Sequence, residues 1–129
     1  MRPIPGIVPA TAPYWEAAQE NRFVLPRCRE CGRFHHHPRS WCPHCWSTDL
    51  DWEEASGRAT VVTFSVVHQP PSPAFDVPYV LAVVELEEGP TMMTNIVDVA
   101  ADEVRIGMEV VVTFEPRGDL ALPQFRPAP

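Results

Sequence analysis

Four cysteines set in two closely spaced pairs constrain this chain more than any other feature. Ten residues separate the pairs, and two residues separate the members of each pair: Cys28 with Cys31, and Cys42 with Cys45. Two such Cys-x-x-Cys turns, or knuckles, can each direct two thiolates at one tetrahedral metal ion. Gly32 follows the first pair and suits the tight turn that this geometry needs. The spacing therefore predicts a zinc ribbon with a closed, structural site of four cysteines.

Three other interpretations of the cysteines compete with zinc. Two disulfides are disfavoured, because residues 1–13 hold four prolines and no apolar signal segment, and we expect a cytoplasmic protein with reduced thiols. A thioredoxin-like redox motif needs one Cys-x-x-Cys beside a β-α-β pattern, which the sequence lacks. Iron in a rubredoxin-like site uses the same four thiolates, so spacing leaves it open. We expect zinc, because iron would also require electron-transfer partners.

Histidines cluster beside the cysteines but are not expected to bind the metal. His35, His36 and His37 are consecutive, and consecutive residues of a strand point to alternate faces, so three such rings cannot converge on one ion there. We expect them in a loop that faces solvent or a partner. His44 lies between two cysteines and is expected to be a knuckle side chain, not a fifth ligand.

Charge and composition exclude several classes of protein. Proline accounts for 16 of 129 residues, which disfavours a helical bundle, because proline costs about 3 kcal/mol inside a helix. The net charge is −7, and an acidic chain lacks the electrostatic footprint of a general nucleic-acid binder. No run approaches the roughly 18 apolar residues of a membrane span. We therefore expect neither nucleic acid nor membrane as a partner.

The basic residues concentrate around the cysteines. Residues 22–46 hold five arginines against one acid, Glu30, so this segment carries +4 while the remaining residues carry −11. Such a segment can present guanidinium groups to anionic phosphates, for instance those of coenzyme A. The alternative is a solvated basic surface that offsets the charge of the thiolate site.

Three segments are predicted along the chain: an N-terminal arm and helix over residues 1–21, the zinc ribbon over 22–46, and a β-barrel over 47–129. The helix is expected from Thr11, as its cap, to about Asn21. A helix of about ten residues is marginal alone, so it must dock on its own domain or on a partner.

Five stretches with period two predict strands in the valine-rich segment after the ribbon. They are Arg58–His68, Pro78–Glu87, Met92–Val99, Glu109–Glu115 and Leu120–Arg126. Five short strands with a long first one favour a Greek-key barrel of the OB type, with a small sandwich as the alternative. Pro123 interrupts the last strand, which predicts an edge strand.

The chain carries no catalytic motif of its own: it has no G-x-S-x-G, Walker, G-x-G-x-x-G or H-E-x-x-H pattern. We therefore expect it not to be catalytic alone. The loop from His68 to Pro78 holds four prolines around Phe75. A stiff loop with an aromatic tip suits insertion into a partner; a rigid connection between strands is the alternative.

The order of these motifs resembles the zinc-ribbon/OB-fold family known as domain of unknown function thirty-five. The resemblance runs from about Pro13 to Pro127 and rests on Tyr14-Trp15 and on the segments LPRCRECGRFHHHPRSWCPHC, SGRATVVTFSVVH, PYVLAVVELEEGP, IGMEVVVTF and LPQFRP. It implies a mainly β fold: an N-terminal helix, a rubredoxin-like zinc ribbon and a five-stranded OB-type barrel. It also implies that the family's zinc ligands are the four cysteines here.

The resemblance also implies a function. Members are companion subunits of thiolase-superfamily enzymes that act on acyl-CoA. Some join an acetyl-CoA acetyltransferase to hydroxymethylglutaryl-CoA synthase, and others serve aldolases and hydratases that degrade steroid side chains. We expect a companion of a steroid side-chain retro-aldolase, in a heteromer with two copies of each chain. The scaffold role is the alternative, and a nucleic-acid-binding OB module is a third, which the acidic barrel disfavours.

Five residues are expected to contact the partner or an acyl-CoA at the interface. Trp15 lies on the helix that must dock, and the others lie on or beside the proline-rich loop: His68, Phe75, Pro78 and Tyr79.

Overall fold

The predicted helix forms and docks on its own chain. In the computed structural model, which describes residues 2–129, helix α1 runs over Ala12–Gln19. Pro13 lies in its first turn, where a missing amide hydrogen costs nothing. Thr11 is the N-cap residue, as predicted, but its side chain makes no capping hydrogen bond to the first turn; its hydroxyl donates to the Val8 carbonyl at 3.1 Å. Within residues 2–129, no helix is long and apolar enough to cross a membrane.

The ribbon is built on two short antiparallel strands, β1 (Val24–Cys28) and β2 (Leu50–Glu54). Cys28 lies opposite Leu50, so the first knuckle leaves directly from the end of β1. Neither strand was predicted from the sequence. The second one lies beyond residue 46, so the ribbon's sheet reaches into the segment predicted as barrel.

The remaining strands close into a barrel, as predicted. Their bounds are β3 (Arg58–Val67), β4 (Tyr79–Leu86), β5 (Thr91–Ile96), β6 (Glu109–Arg117) and β7 (Leu120–Pro127). Their order around the barrel is β3-β4-β5-β7-β6, closed by the pairing of β6 with β3. This five-stranded Greek-key order is that of an OB fold and excludes the sandwich. A short 3-10 turn, Ala101–Glu103, lies between β5 and β6.

Strand β7 is not the edge strand that Pro123 predicted. It pairs along its length with β6 and meets β5 through one parallel pair, Ile96 with Phe125. The Val97 amide donates to the Phe125 carbonyl at 2.8 Å. Pro123 lies opposite Phe114, in the part of β7 that pairs on one side only. A residue without an amide hydrogen is tolerated there. Proline therefore marks a stretch of β7 that pairs on one side only and not, as predicted, an edge strand.

One hydrophobic core joins the helix, the ribbon and the barrel. Phe23 and Leu25 of the ribbon belong to the same buried cluster as Phe125 of β7, and the rings of Phe23 and Phe125 meet edge to face at 6.2 Å. Leu25 and Phe125 are fully buried. Burying a side chain of this size stabilises the fold by about 1.5–3 kcal/mol. The ribbon therefore closes the barrel core rather than hanging beside it.

Candidate functional site

The four cysteines converge on one point, as their spacing predicts. The Sγ atoms of Cys28 and Cys45 are 3.5 Å apart, those of Cys31 and Cys42 are 3.6 Å apart, and all four lie within 4.8 Å of one another. With Zn–S bonds of about 2.3 Å, the sulfurs of a tetrahedral site lie about 3.8 Å apart. The cysteines are free thiols, not disulfides. The donor set and its geometry fit a closed zinc site.

The backbone of the knuckles prepares the sulfurs for a cation. The amide of Cys31 donates to the Cys28 sulfur at 3.4 Å, and the amide of His44 donates to the Cys42 sulfur at 3.4 Å. The Cys31 amide is the main cause that lowers the pKa of the Cys28 thiol to about 7. A thiol that ionises near neutral pH readily supplies the thiolate, which is the form that zinc binds.

Each knuckle ends on a residue with left-handed backbone. Gly32 has a φ of +75° after the first pair, and Trp46 has a φ of +67° after the second. Glycine adopts this region freely, whereas for a residue with a side chain the conformation costs roughly 1–2 kcal/mol. Trp46 is nevertheless 75% exposed and stacks on the exposed Trp41, with ring centroids 6.4 Å apart. This aromatic pair was not predicted from the sequence. The available signal is that Trp46 directly follows the second Cys-x-x-Cys, as Gly32 directly follows the first.

The three consecutive histidines occupy three different environments, which corrects the expectation of a solvated or partner-facing loop. His35 is buried, His36 is half-buried and His37 is exposed. The ring of His36 lies 3.2 Å from the Tyr14 hydroxyl, and burial lowers its pKa to about 4. A neutral ring can accept a hydrogen bond from the Tyr14 hydroxyl, so His36 helps to hold the helix on the ribbon. His44 lies outside the four-thiolate cluster, as expected.

The five predicted contact residues divide into buried and accessible ones. Trp15 is 8% exposed and belongs to the core, with its ring 5.1 Å from that of Tyr14. The structure thus assigns Trp15 to the chain's own packing and leaves it little surface for a partner. His68 and Pro78 are exposed.

Phe75 and Tyr79 are half-buried beneath the N-terminal arm. The guanidinium of Arg2 lies 4.9 Å from the centroid of the Phe75 ring and 4.6 Å from that of Tyr79, and it donates to the side-chain oxygen of Asn95 at 2.8 Å. Such contacts between a cation and an aromatic face are attractive. Phe75 is therefore not the free tip that the proline-rich loop suggested, and the arm covers one face of the loop.

Two family profiles match the chain and divide it at residue 51. The profile described as "ChsH2, rubredoxin-like zinc ribbon domain" matches residues 15–51, and "ChsH2, C-terminal OB-fold domain" matches residues 52–115. The zinc ribbon and the OB fold that the residues predict are thus both confirmed.

Named relatives share much of the sequence. The chain is 46% identical over 129 residues, 99% of its length, to a "Probable enoyl-CoA hydratase alpha subunit" of Thermomonospora curvata. It is 33% identical over 91% of its length to the "3-oxo-4,17-pregnadiene-20-carboxyl-CoA hydratase alpha subunit" of Mycobacterium tuberculosis. It spans only 40% and 37% of those two proteins. A "DUF35 domain-containing scaffold protein" of Methanocaldococcus jannaschii is 40% identical over 78% of this chain and 73% of that protein.

Solved structures agree with these relatives. A chain of the "Ltp2-ChsH2(DUF35) aldolase" superposes with a TM-score of 0.87 and 46% identity, over 98% of this chain and 100% of that one. A DUF35 protein of Sulfolobus solfataricus superposes with a TM-score of 0.68 at 16% identity, over 93% of this chain and 86% of that one, which shows the fold alone. From the four-thiolate ribbon, the closed barrel and these matches together, the chain belongs to the DUF35 family of zinc-ribbon and OB-fold proteins.

Proposed function

We propose that this chain is a companion subunit of a thiolase-like enzyme that acts on acyl-CoA, in the retro-aldol cleavage of a steroid side chain. The observation that carries the proposal is the likeness, over nearly the whole chain, to a chain of the Ltp2-ChsH2(DUF35) aldolase, at 46% identity. The name of the mycobacterial relative, which refers to a pregnadiene-carboxyl-CoA, supports a steroid acyl-CoA as the substrate class.

The proposal gives the reacting residues to the partner, because the sequence of this chain holds no catalytic motif. This chain contributes a wall of the acyl-CoA channel and keeps the partner active. The contacts predicted at His68, Phe75, Pro78 and Tyr79 lie along one loop and the start of β4. The proposed assembly is a heteromer with two copies of each chain, since thiolase-fold enzymes are dimers, in the cytoplasm, where zinc thiolates remain reduced.

An apolar face on the outside of the barrel supports a protein partner. Leu81 and Val83 project from the same side of β4, and Met93 of β5 lies directly opposite Val83, so the three share one face. Met93 is 66% exposed, and Leu81 is also exposed. Contiguous apolar surface of this kind on the outside of a barrel is typical of interaction sites.

Reconstitution tests the proposal. A thiolase-like protein from the native host of this chain is purified alone and assayed for retro-aldol cleavage of a steroid side-chain CoA thioester, and the chain is then added. We expect activity to appear only after addition, and size-exclusion chromatography with light scattering to show two copies of each chain. Full activity of the partner alone would refute the companion role.

A matched pair of variants tests the apolar face. Met93→Arg should weaken assembly at least tenfold, because it places a charge in the proposed interface. Glu109→Arg changes an exposed residue at the start of β6 and should leave assembly unchanged. Equal affinities of the two variants for the partner would remove this face from the interface.

A second function, a scaffold between an acetyl-CoA acetyltransferase and hydroxymethylglutaryl-CoA synthase, is favoured by one observation. The archaeal relatives that this chain covers by more than 70% of their length are named scaffold proteins. Purification of the chain from its native host, with mass spectrometry of the bound proteins, separates the two roles. Recovery of both enzymes in one complex would favour the scaffold, and recovery of one thiolase-like protein would favour the aldolase companion.

A further inference from the structure

A groove of about 770 Å³ lies between the ribbon and the barrel, beside the four-thiolate site. Its ribbon wall carries Arg33, His35 and Arg39, and its barrel wall is the turn from Glu88 to Thr91 that joins β4 to β5. The size of the groove is that of a small-molecule site. Its walls come from the two units of the fold, so its shape depends on their shared core.

Ion pairs divide the five ribbon arginines into two groups. Three of them meet carboxylates: Arg22 with Glu20 and Glu54, Arg27 with Glu53, and Arg29 with Asp49 and Asp51. Within residues 2–129, Arg33 and Arg39 pair with no carboxylate, and both line the groove. The arginines of the ribbon that have no carboxylate partner therefore both lie at the groove. On a generally solvated basic surface, such unpaired charges would be spread evenly.

Two buried polar groups on the groove walls lack partners. His35 is 3% exposed, and neither of its ring nitrogens has a hydrogen-bond partner among residues 2–129. On the opposite wall, Glu88 accepts a hydrogen bond from the Ser56 amide through Oε2 at 2.8 Å, while its buried Oε1 has no partner in the same range. Buried polar atoms without partners are rare and call for an explanation. A ligand that satisfies both walls supplies one.

We propose that this groove binds a phosphate monoester carried on a hydroxylated sugar, which is the chemistry of a nucleotide. Arg33 and Arg39 hold the phosphate oxygens, since guanidinium groups match them in charge and in geometry. His35 donates its ring N–H to the same ester, and Glu88 accepts a hydrogen bond from a neighbouring sugar hydroxyl.

The protonation state of His35 agrees with this arrangement. Burial, aided by the charge of Arg39, lowers the pKa of His35, so the ring is neutral near pH 7 and offers one donor and one acceptor. The donor serves the phosphate without placing a charge on the buried ring, while the two exposed guanidinium groups supply the positive charge. Among residues 2–129, Glu88 is the one carboxylate on the groove wall, and its charge favours a ligand that brings a hydroxyl donor over a bare polyanion.

The site is independent of the aldolase activity, but its physiological occupant rests on the proposed function. Coenzyme A carries a ribose 3′-phosphate next to a free hydroxyl and is one source of this chemistry, and an unrelated nucleotide is another. The shared feature in both cases is the sugar phosphate, so binding to the chain alone tests the site and the choice of nucleotide identifies the source.

Calorimetric titration of the full, zinc-loaded chain without its partner tests the site. The probes are adenosine 3′,5′-bisphosphate, coenzyme A, 3′-dephospho-coenzyme A, adenosine and inorganic phosphate. We expect the bisphosphate to bind at least tenfold more tightly than either adenosine or inorganic phosphate. Coenzyme A exceeding its dephospho form tenfold identifies coenzyme A as the source, whereas equal affinities of those two, with the bisphosphate still preferred, point to another nucleotide. No preference for the bisphosphate over adenosine would overturn the proposal.

Two charge-neutralising variants separate a built site from general basicity. Arg39→Gln should weaken binding of the bisphosphate at least tenfold, which corresponds to about 1.4 kcal/mol. Arg29→Gln removes an equally exposed ribbon charge that faces Asp49 and Asp51, and should change the affinity less than twofold. Circular dichroism and zinc content confirm that both variants fold. Equal weakening by the two variants would reduce the groove to a diffuse charge effect and refute it as a site.

Discussion

Gly57 sits where the ribbon passes into the barrel, and replacing it with alanine tests whether that junction is as tightly packed as the structure shows. The residue has a φ of +80°, and its carbonyl accepts a hydrogen bond from the Val112 amide at 2.7 Å. A Cβ added there would lie 2.6 Å from Cγ1 of Val112, against an ordinary contact of 3.4–4 Å. Valine is stiff at its first side-chain torsion, so it cannot easily turn away.

The size of the effect follows from three contributions. Left-handed backbone costs alanine roughly 1–2 kcal/mol, and overpacking of this kind costs typically 1–3 kcal/mol. Alanine also lowers the conformational entropy of the unfolded chain, which stabilises the folded state by roughly 0.4–1 kcal/mol. We therefore expect Gly57→Ala to lower the free energy of unfolding by about 3 kcal/mol.

Gly107→Ala is the matched control. Gly107 has nearly the same φ, +85°, but among residues 2–129 no atom lies within 4 Å of an added Cβ. Only the backbone term applies, so the loss should be about 1 kcal/mol. Urea unfolding of the zinc-loaded chains, followed by tryptophan fluorescence, measures both values. Val112→Ala added to Gly57→Ala should recover part of the difference, because it removes the clashing methyl groups. Equal losses in the two glycine variants would refute the packing argument.

Three further perturbations test other parts of the structure. Trp15→Ala should cost about 3–5 kcal/mol in urea unfolding, with or without a partner, because it empties a buried position. Cys28→Ser should release zinc, measured by elemental analysis, and should expose ribbon and barrel to proteolysis together, because Phe23 joins them. The pKa of His36 is about 4 in the folded chain and 6.5 in the unfolded chain. Between these pH values the unfolded state therefore binds more protons than the folded state. The free energy of unfolding should fall by about 3 kcal/mol as the pH drops from 6.5 to 4. His36→Gln should flatten that part of the profile in unfolding measured at stepped pH.

The metal site and the barrel could be predicted because their signals are local. Four thiolates at fixed spacing predict one metal site, and the alternating apolar residues of β4, together with the valine-rich β3, identify strands that bury one face. The ribbon strands were missed because each is five residues long, and Pro26 interrupts the first. Neither strand is long enough to show a period.

The burial of two predicted contact residues could not be foreseen, because burial of a side chain depends on segments distant in sequence. Phe75 is covered by Arg2, and Trp15 is covered by the ribbon and the barrel. An exposed and a buried aromatic residue look the same in a sequence. At Trp46, about which the sequence predicted nothing, the knuckle geometry holds an exposed ring in a backbone conformation that favours glycine.

Because the ribbon and the barrel share one core, we expect recombination to transfer them only together. If recombination cut between Glu54 and Arg58, the ribbon would keep Leu25 and the barrel would keep Phe125, each with an apolar face turned to water. Such halves would be prone to aggregation and would be removed by selection. The Thermomonospora relative agrees with this expectation, since 99% of this chain aligns as one block within a protein of which it makes up 40%. In that relative the zinc ribbon and the barrel thus remain together within a longer protein.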